Sequence, residues 1–241
     1  MIDLSCDLGE ASTDSERETE ARIWPLIASA NVACGGHAGN RDSMTYAARQ
    51  ARQLGVHLGA HPSFPDRENF GRKPMVIAPE DLLTSLADQI ATLRRIAGRE
   101  GVDLRFVKPH GALYNQAHRD RALAATIVAA MRQVDPALAI VAPAASQMAV
   151  AARTAGTSVI AEAFADRRYE PTGELVARGT PGALLTVDEA AGQAEHLVRE
   201  GIAIARDGTR VPIEFDTVCI HADMERSVER LMAIRARLGM Q

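Results

Sequence analysis

Short apolar runs, each stopped by glycine, proline, histidine or an acidic residue, alternate along the chain with longer stretches of helical periodicity. Seven of the runs predict strands, over 2–6, 30–34, 56–60, 104–107, 138–142, 157–163 and 216–220, because they are short, apolar and bounded by turn residues. The clearest helix is 80–97, where Leu82, Leu83, Leu86, Ile90, Leu93 and Ala97 form one stripe and Asp81, Asp88, Arg94 and Arg95 fall off it. Further helices are predicted over 41–54, with Asn40 as N-cap and Gly55 as stop, and over 121–133, 146–155, 189–200 and 225–238. Strand and helix alternate throughout, which argues for a parallel sheet with right-handed crossovers. Periodicity alone does not choose between a closed barrel and an open doubly wound sheet. Polar clusters close nearly every strand, whereas an open sheet gathers its ligands at one switch point, so a seven-stranded β/α barrel with parallel strands and outer helices is expected. The long connections 61–79 and 164–187 read as rim loops.

With 241 residues, 46% of them hydrophobic, one β/α-barrel domain spanning 1–241 can bury a full core, and no linker-like segment divides it. A net charge of -4 and 4% aromatic residues leave no basic stripe with stacking rings, so nucleic acid is excluded as a partner and a small molecule is favoured. No run of about 18 apolar residues and no basic leader is present, so the expectation is no membrane association and a cytoplasmic protein. Cys6, Cys34 and Cys219 stand singly in apolar runs and read as buried hydrophobes rather than a thiolate metal site.

The polar strand ends carry the candidate chemistry. Asp3, Ser5 and Asp7 share one face of the first strand, and Asp7 and Glu10 straddle Gly9, so two carboxylates reach toward a cavity mouth. His37 lies in a glycine-rich turn suited to anion contacts. His57 and His61 stand about 13 Å apart at ~3.3 Å per residue. His57 is therefore assigned to the core or a lower layer, and His61 to the site. Lys108 is a cation on a buried strand that needs an anion, with His110 two residues on and Tyr114 and Asn115 extending the rim. Glu162 sits in an apolar run, where burial would raise its pKa and an ion pair with Lys108 or Arg167 would lower it. His118 and His196 read as surface residues. P-loop, dinucleotide and serine-hydrolase motifs are absent.

The stretches Asp3–Glu10, Ala30–Gly39, Gly59–Asp66, Phe70–Arg72, Val107–Asn115, Glu162–Tyr169 and Arg178–Ala183 resemble, in order, the LamB/YcsF family, that of the 5-oxoprolinase A subunits. The resemblance implies a seven-stranded barrel similar to that of carbohydrate deacetylases. It also implies a part in the ATP-dependent opening of 5-oxo-L-proline, a cyclic amide, to L-glutamate, together with subunits B and C. Within that scheme, the residues' own chemistry rather than the family name makes Asp7, Glu10, Lys108, His110 and Glu162 the candidate catalytic residues, and Asn31, His37, His61, Asn115, Asp166 and Arg167 the candidate substrate-binding residues. ATP is the expected cofactor, with Mg²⁺ or another divalent metal, for which Asp7, His61 and His110 are the candidate ligands. Self-association is left open. The alternative readings are a metal-dependent deacetylase-like hydrolase and a non-catalytic, lactam-binding component. Ser5, Gly36, Asn40 and Ala222 depart from the family pattern. Gly36 is expected to open space near His37, Asn40 to remove a rim charge and Ala222 to crowd the His221 turn.

Overall fold

The computed structural model describes residues 2–240. Strands β1 (Asp3–Leu8), β2 (Ser29–Ala33), β3 (His57–His61), β4 (Leu104–Val107), β5 (Ala139–Ala142) and β6 (Val159–Phe164) stand side by side in chain order, all parallel. A small antiparallel hairpin, β7 (Ile202–Ile204) with β8 (Arg210–Pro212), lies outside them. Strand β9 (Thr217–His221) then inserts between β6 and β1 and closes a seven-stranded barrel. The outer layer comprises α1 (Asp14–Ile23), α2 (Arg41–Leu54), α3 (Pro79–Arg99), α4 (Gly111–Ala117), α5 (Arg121–Val134), α6 (Gln147–Thr154), α7 (Val187–Glu200) and α8 (Ser227–Leu238).

Alternation along each strand divides the barrel into an apolar outer face and a polar lumen. On β1, Leu4, Cys6 and Leu8 are fully buried on the helix side, as are Ala30 and Val32 on β2 and Val218 and Ile220 on β9. Asp3, Ser5 and Asp7 point the other way. At the lumen floor Asp3 accepts hydrogen bonds from the Ser29 hydroxyl at 2.6 Å and the Thr217 hydroxyl at 2.8 Å. Parallel registry then brings Asp7 level with Asn31 and His221, Asn31 with Gly59, and Gly59 with Phe106. The Phe106 ring fills the space above Gly59, where a Cβ would stand 1.9 Å from a ring carbon, so this strand position admits only glycine.

Local signals set most boundaries. Asn40 caps α2 by accepting from the Asp42 and Ser43 amides, and Gly55 ends it in the left-handed region at φ 71°. Pro79 opens α3, whose buried stripe includes Leu82, Leu86, Ile90 and Leu93. Two helices lie where periodicity predicts none. In α1 only Glu20 and Ile23 are buried, so there is no apolar stripe to read. Helix α4 has seven residues, too few to establish a period. The strict alternation expected from the sequence is broken there, because α4 and α5 both follow β4, and again at the β7–β8 hairpin. His57 is exposed rather than in the core: it opens β3, where the strand is not yet covered. Among the described residues no helix is long and apolar enough to cross a membrane.

Candidate active site

The C-terminal ends of the strands surround a cavity of about 310 Å³, at the small end of ligand pockets. Below it, Lys108 Nζ lies 2.9 Å from Asp7 Oδ1, 2.7 Å from Glu162 Oε1 and 3.1 Å from Cys219 Sγ. The contact with Glu162 is a short ion pair poorly aligned for a hydrogen bond. Asp7 Oδ1 also accepts from Asn31 Nδ2 at 2.8 Å, and Glu162 Oε2 from the Tyr114 hydroxyl at 2.8 Å. Burial would push the Asp7 carboxyl up, but His61 and Lys108 beside it hold it well below the usual carboxylate range. Burial would lower Lys108, yet Asp7, Cys219 and Glu162 keep it well above the ordinary lysine value. The lysine is thus a fixed cation in the floor, hydrogen-bonded to Asp7 and Cys219 and ion-paired with Glu162.

Histidines form one wall. His61 Nδ1 lies 2.7 Å from the Lys108 carbonyl, and His110 Nε2 3.0 Å from the Phe70 carbonyl. Phe70 presents that carbonyl from a backbone with φ 54°, an unusual state for a large residue. His37 stacks on His110 with ring centroids 3.6 Å apart and bonds Glu10 at 2.8 Å. Burial, with His61 adjacent, drives His37 down to about 2, and burial with His61 and His37 drives His110 far below the ordinary histidine value. Glu10 moves the other way, to about 7, chiefly through burial. Burial would depress His61, but Asp7 raises it above its ordinary value.

The opposite wall is built from β6, β9 and the rim loops. His221 places Nδ1 3.0 Å from an Asp166 carboxylate oxygen, its backbone N–H donates to the same side chain at 2.7 Å, and its ring stacks on Phe164. Burial would raise Asp166, but His221 holds it below its ordinary value. Arg178 bonds Asp223 at 3.0 Å, and Arg72 pairs with the same carboxylate. Arg167 donates to the Val176 carbonyl at 2.7 Å and leaves its buried Nε without a partner.

Of the residues singled out from the sequence, Asp7, Glu10, His61, Lys108, His110, Asn115 and Arg167 line the cavity. Glu162 and Asn31 lie beneath it, His37 behind His110, and Asp166 behind His221. Of the three candidate metal ligands, Asp7 turns to Lys108 and Asn31, while His61 and His110 converge with Glu10 and His37. The space expected beside Gly36 is filled: a Cβ there would stand 2.4 Å from both Gln89 Oε1 and Ser63 Oγ, because Gln89 bonds the Ser63 backbone in both directions. Asn40 is an exposed helix cap that does not line the cavity, so no rim charge is lost there. Ala222 is partly buried against the core behind the His221 turn.

The sequence reading did not place Arg72, Arg178, His221, Asp223 or Glu20 among the catalytic or substrate-binding residues. Glu20, from α1, accepts from the Gly9, Glu10 and Ala11 amides at 2.9–3.0 Å and so shapes the turn that carries Glu10. Its one local signal is the capping box Thr13-x-x-Glu16 that starts α1.

Comparison with known proteins fits this geometry. The chain is 44% identical over 236 residues to the 5-oxoprolinase A subunit of Chloroflexus aggregans, covering 97% of this chain and 93% of the relative. The crystal structure of the lactam utilization protein from Thermus thermophilus superposes with a TM-score of 0.91 at 40% identity, over 99% of this chain and 96% of that one. A family 4 acetyl xylan esterase from Clostridium thermocellum, 14% identical with a TM-score of 0.50 over 99% of this chain and 83% of its own, shares the fold alone. The LamB/YcsF family model matches residues 2–241, and the chain belongs to that family.

Proposed function

We propose that this chain opens the ring of 5-oxo-L-proline to L-glutamate, as the A component of an ATP-driven 5-oxoprolinase that also requires subunits B and C. The relatives' names and the small polar cavity support this reading. The observation that carries it is the His221–Asp166 pair facing that cavity beside Arg167. Asp166 accepts the Nδ1 hydrogen of His221, which leaves Nε2 as a lone pair, the arrangement of an oriented general base. Arg167, a guanidinium on the cavity wall, suits the substrate carboxylate.

In this scheme ATP, carried with Mg²⁺, donates its γ-phosphoryl group to the lactam oxygen and leaves as ADP. His221 takes a proton from water as the water oxygen bonds the activated carbon. The ring C–N bond then breaks and nitrogen leaves as the amine, taking up a proton. A second water releases phosphate from the acyl phosphate, which gives glutamate. The deacetylase-like alternative draws on a distant likeness of fold and on the histidine–carboxylate wall of the cavity; the relatives' names favour the lactam reaction.

The test is glutamate and phosphate release from 5-oxo-L-proline with ATP and Mg²⁺, using the chain alone and with its B and C partners. Release is expected only from the complete mixture, with His221→Ala lowering it by about 10²–10⁴-fold. No release from well-folded, assembled partners would overturn the lactam reading. Undiminished release by the variant would overturn the base assignment.

A further inference from the structure

Four side chains that take no part in that scheme meet at one point of the cavity wall. Glu10 Oε1 stands 2.8 Å from His37 Nε2, 3.3 Å from His110 Nδ1 and 3.7 Å from His61 Nε2, and all four donor atoms lie within 4.8 Å of one another. His61 Nε2 and His110 Nδ1 are 3.0 Å apart. Their outer nitrogens face the carbonyls of Lys108 and Phe70. A carbonyl only accepts, so each outer nitrogen carries the hydrogen of its neutral ring, and the inner nitrogens are two lone pairs facing each other. That contact is repulsive unless a cation lies between them.

A proton would serve this pair but not the rest of the cluster. If His37 donates from Nε2 to Glu10, its Nδ1 becomes a buried lone pair with no partner; if Nδ1 holds the hydrogen, a lone pair faces the carboxylate.

We propose that Glu10, His37, His61 and His110 form a binding site for a transition-metal ion of the zinc type. Metal–ligand bonds of about 2.0–2.2 Å in a tetrahedron place ligand atoms ~3.4 Å apart, the middle of the distances seen here. Imidazole donors select zinc, cobalt or nickel over magnesium, which separates this ion from the Mg²⁺ that accompanies ATP. The carbonyls on the outer nitrogens of His61 and His110 supply the support that fixes tautomer and ring orientation at such sites. Asp7 Oδ2 stands 3.3 Å from His61 Nε2, while Lys108 and Asn31 engage Asp7 Oδ1. Glu10, His61 and His110 border the cavity, so the ion would face the ligand. Its chemical role, polarising the lactam oxygen, rests on the reaction proposed above; its binding does not.

The test uses the full chain stripped with a chelator and titrated with Co²⁺, with neither ATP nor lactam present, while visible absorption is recorded. Zn²⁺ and Mg²⁺ are then added as competitors. The expected result is saturation at one Co²⁺ per chain, with an absorption band of low coordination number that Zn²⁺ abolishes and Mg²⁺ leaves intact. His37→Ala and His110→Ala should each weaken Co²⁺ binding by more than about 100-fold, beyond the 10–100-fold of an outer-shell change. His196→Ala, on the exposed side of α7, should leave it unchanged. A wild-type chain that shows no such band, or keeps it when Mg²⁺ is added but loses nothing to Zn²⁺, overturns the proposal. So does undiminished binding in a folded His37→Ala/His110→Ala double variant. The wild-type spectrum decides the matter even if the variants do not fold. Because the readout is binding, failure here is distinct from failure of the lactam assay.

Discussion

Replacing Lys108 with methionine removes the floor cation while keeping most of the stem. Asp7 then keeps only His61 beside it, and Asp7 and Glu162 both lose the lysine with which each paired at 2.9 Å or less. The penalty limits itself, because a buried carboxylate that cannot stay charged takes up a proton. For a carboxyl with an ordinary pKa of about 4, protonation at pH 7 costs roughly three units at ~1.4 kcal/mol each, or about 4 kcal/mol. This agrees with the ~3–5 kcal/mol found when one partner of a buried pair is removed. The same reasoning fixes the pH dependence: at pH 5 one unit remains and the deficit shrinks to ~1.4 kcal/mol. Adding Glu162→Gln should recover most of the loss at pH 7, since it removes the surplus charge while Tyr114 can still donate to the amide oxygen. Urea unfolding of wild type, single and double variants at pH 5 and 7 measures all of this. A Lys108→Met deficit below about 1 kcal/mol at pH 7, or one that does not shrink toward pH 5, would refute the account of the floor as a charge-compensated group.

Glu20→Ala leaves the Gly9, Glu10 and Ala11 amides without their acceptor and is expected to cost about 2–3 kcal/mol, with faster hydrogen exchange confined to that turn. Gly36→Ala should destabilise by ~1–3 kcal/mol through its clash with Gln89 and Ser63, and adding Gln89→Ala should relieve part of that cost; a neutral single variant in thermal melts would contradict the filled space. Asp166 has a folded pKa below its ordinary value, so its contribution is complete above about pH 4 and lost as pH falls through the folded value; Asp166→Asn should therefore flatten acid unfolding below pH 4 and leave wild type the more stable protein at neutral pH. Asp223→Ala releases Arg72 and Arg178 from their shared carboxylate, and KM for an anionic substrate should fall several-fold at low salt, with the gain lost at high ionic strength.

How far the sequence speaks depends on how local each signal is. Asn40 and Gly55 carry the limits of α2 in their own side-chain chemistry, and the expected range 41–54 is the observed one. Strand positions also follow from short apolar runs, with ends displaced by a residue or two, as at β1 and β2. Glycine- and histidine-rich strand ends marked where polar groups gather. Pairing is another matter. His221 and Asp166 lie 55 residues apart, and only the insertion of β9 beside β6 brings them together. His37 stacks on His110 across three strands, and Glu20 reaches back from a helix with almost no buried face. Arg72 and Arg178 come from rim loops, whose residues follow no period, so nothing local distinguishes them from other surface arginines.

The two faces of each barrel strand answer to different demands. Leu4, Cys6 and Leu8 alternate with Asp3, Ser5 and Asp7, so the residues that bind the sheet to its helices and those that furnish the cavity share a backbone but not a side. Burial of the apolar face stabilises the barrel at roughly 25 cal/mol per Å² of surface removed from water, whatever stands in the lumen. The lumen is thereby free to hold groups that a packed apolar core would expel, provided each charge is matched. That condition is met in three stages with depth: hydroxyls around Asp3 at the floor, Lys108 between Asp7 and Glu162 in the middle, and arginines around Asp223 at the mouth. The histidine wall is the exception, because its inner nitrogens and Glu10 lack a matching cation, and it is there that the geometry leaves room for one.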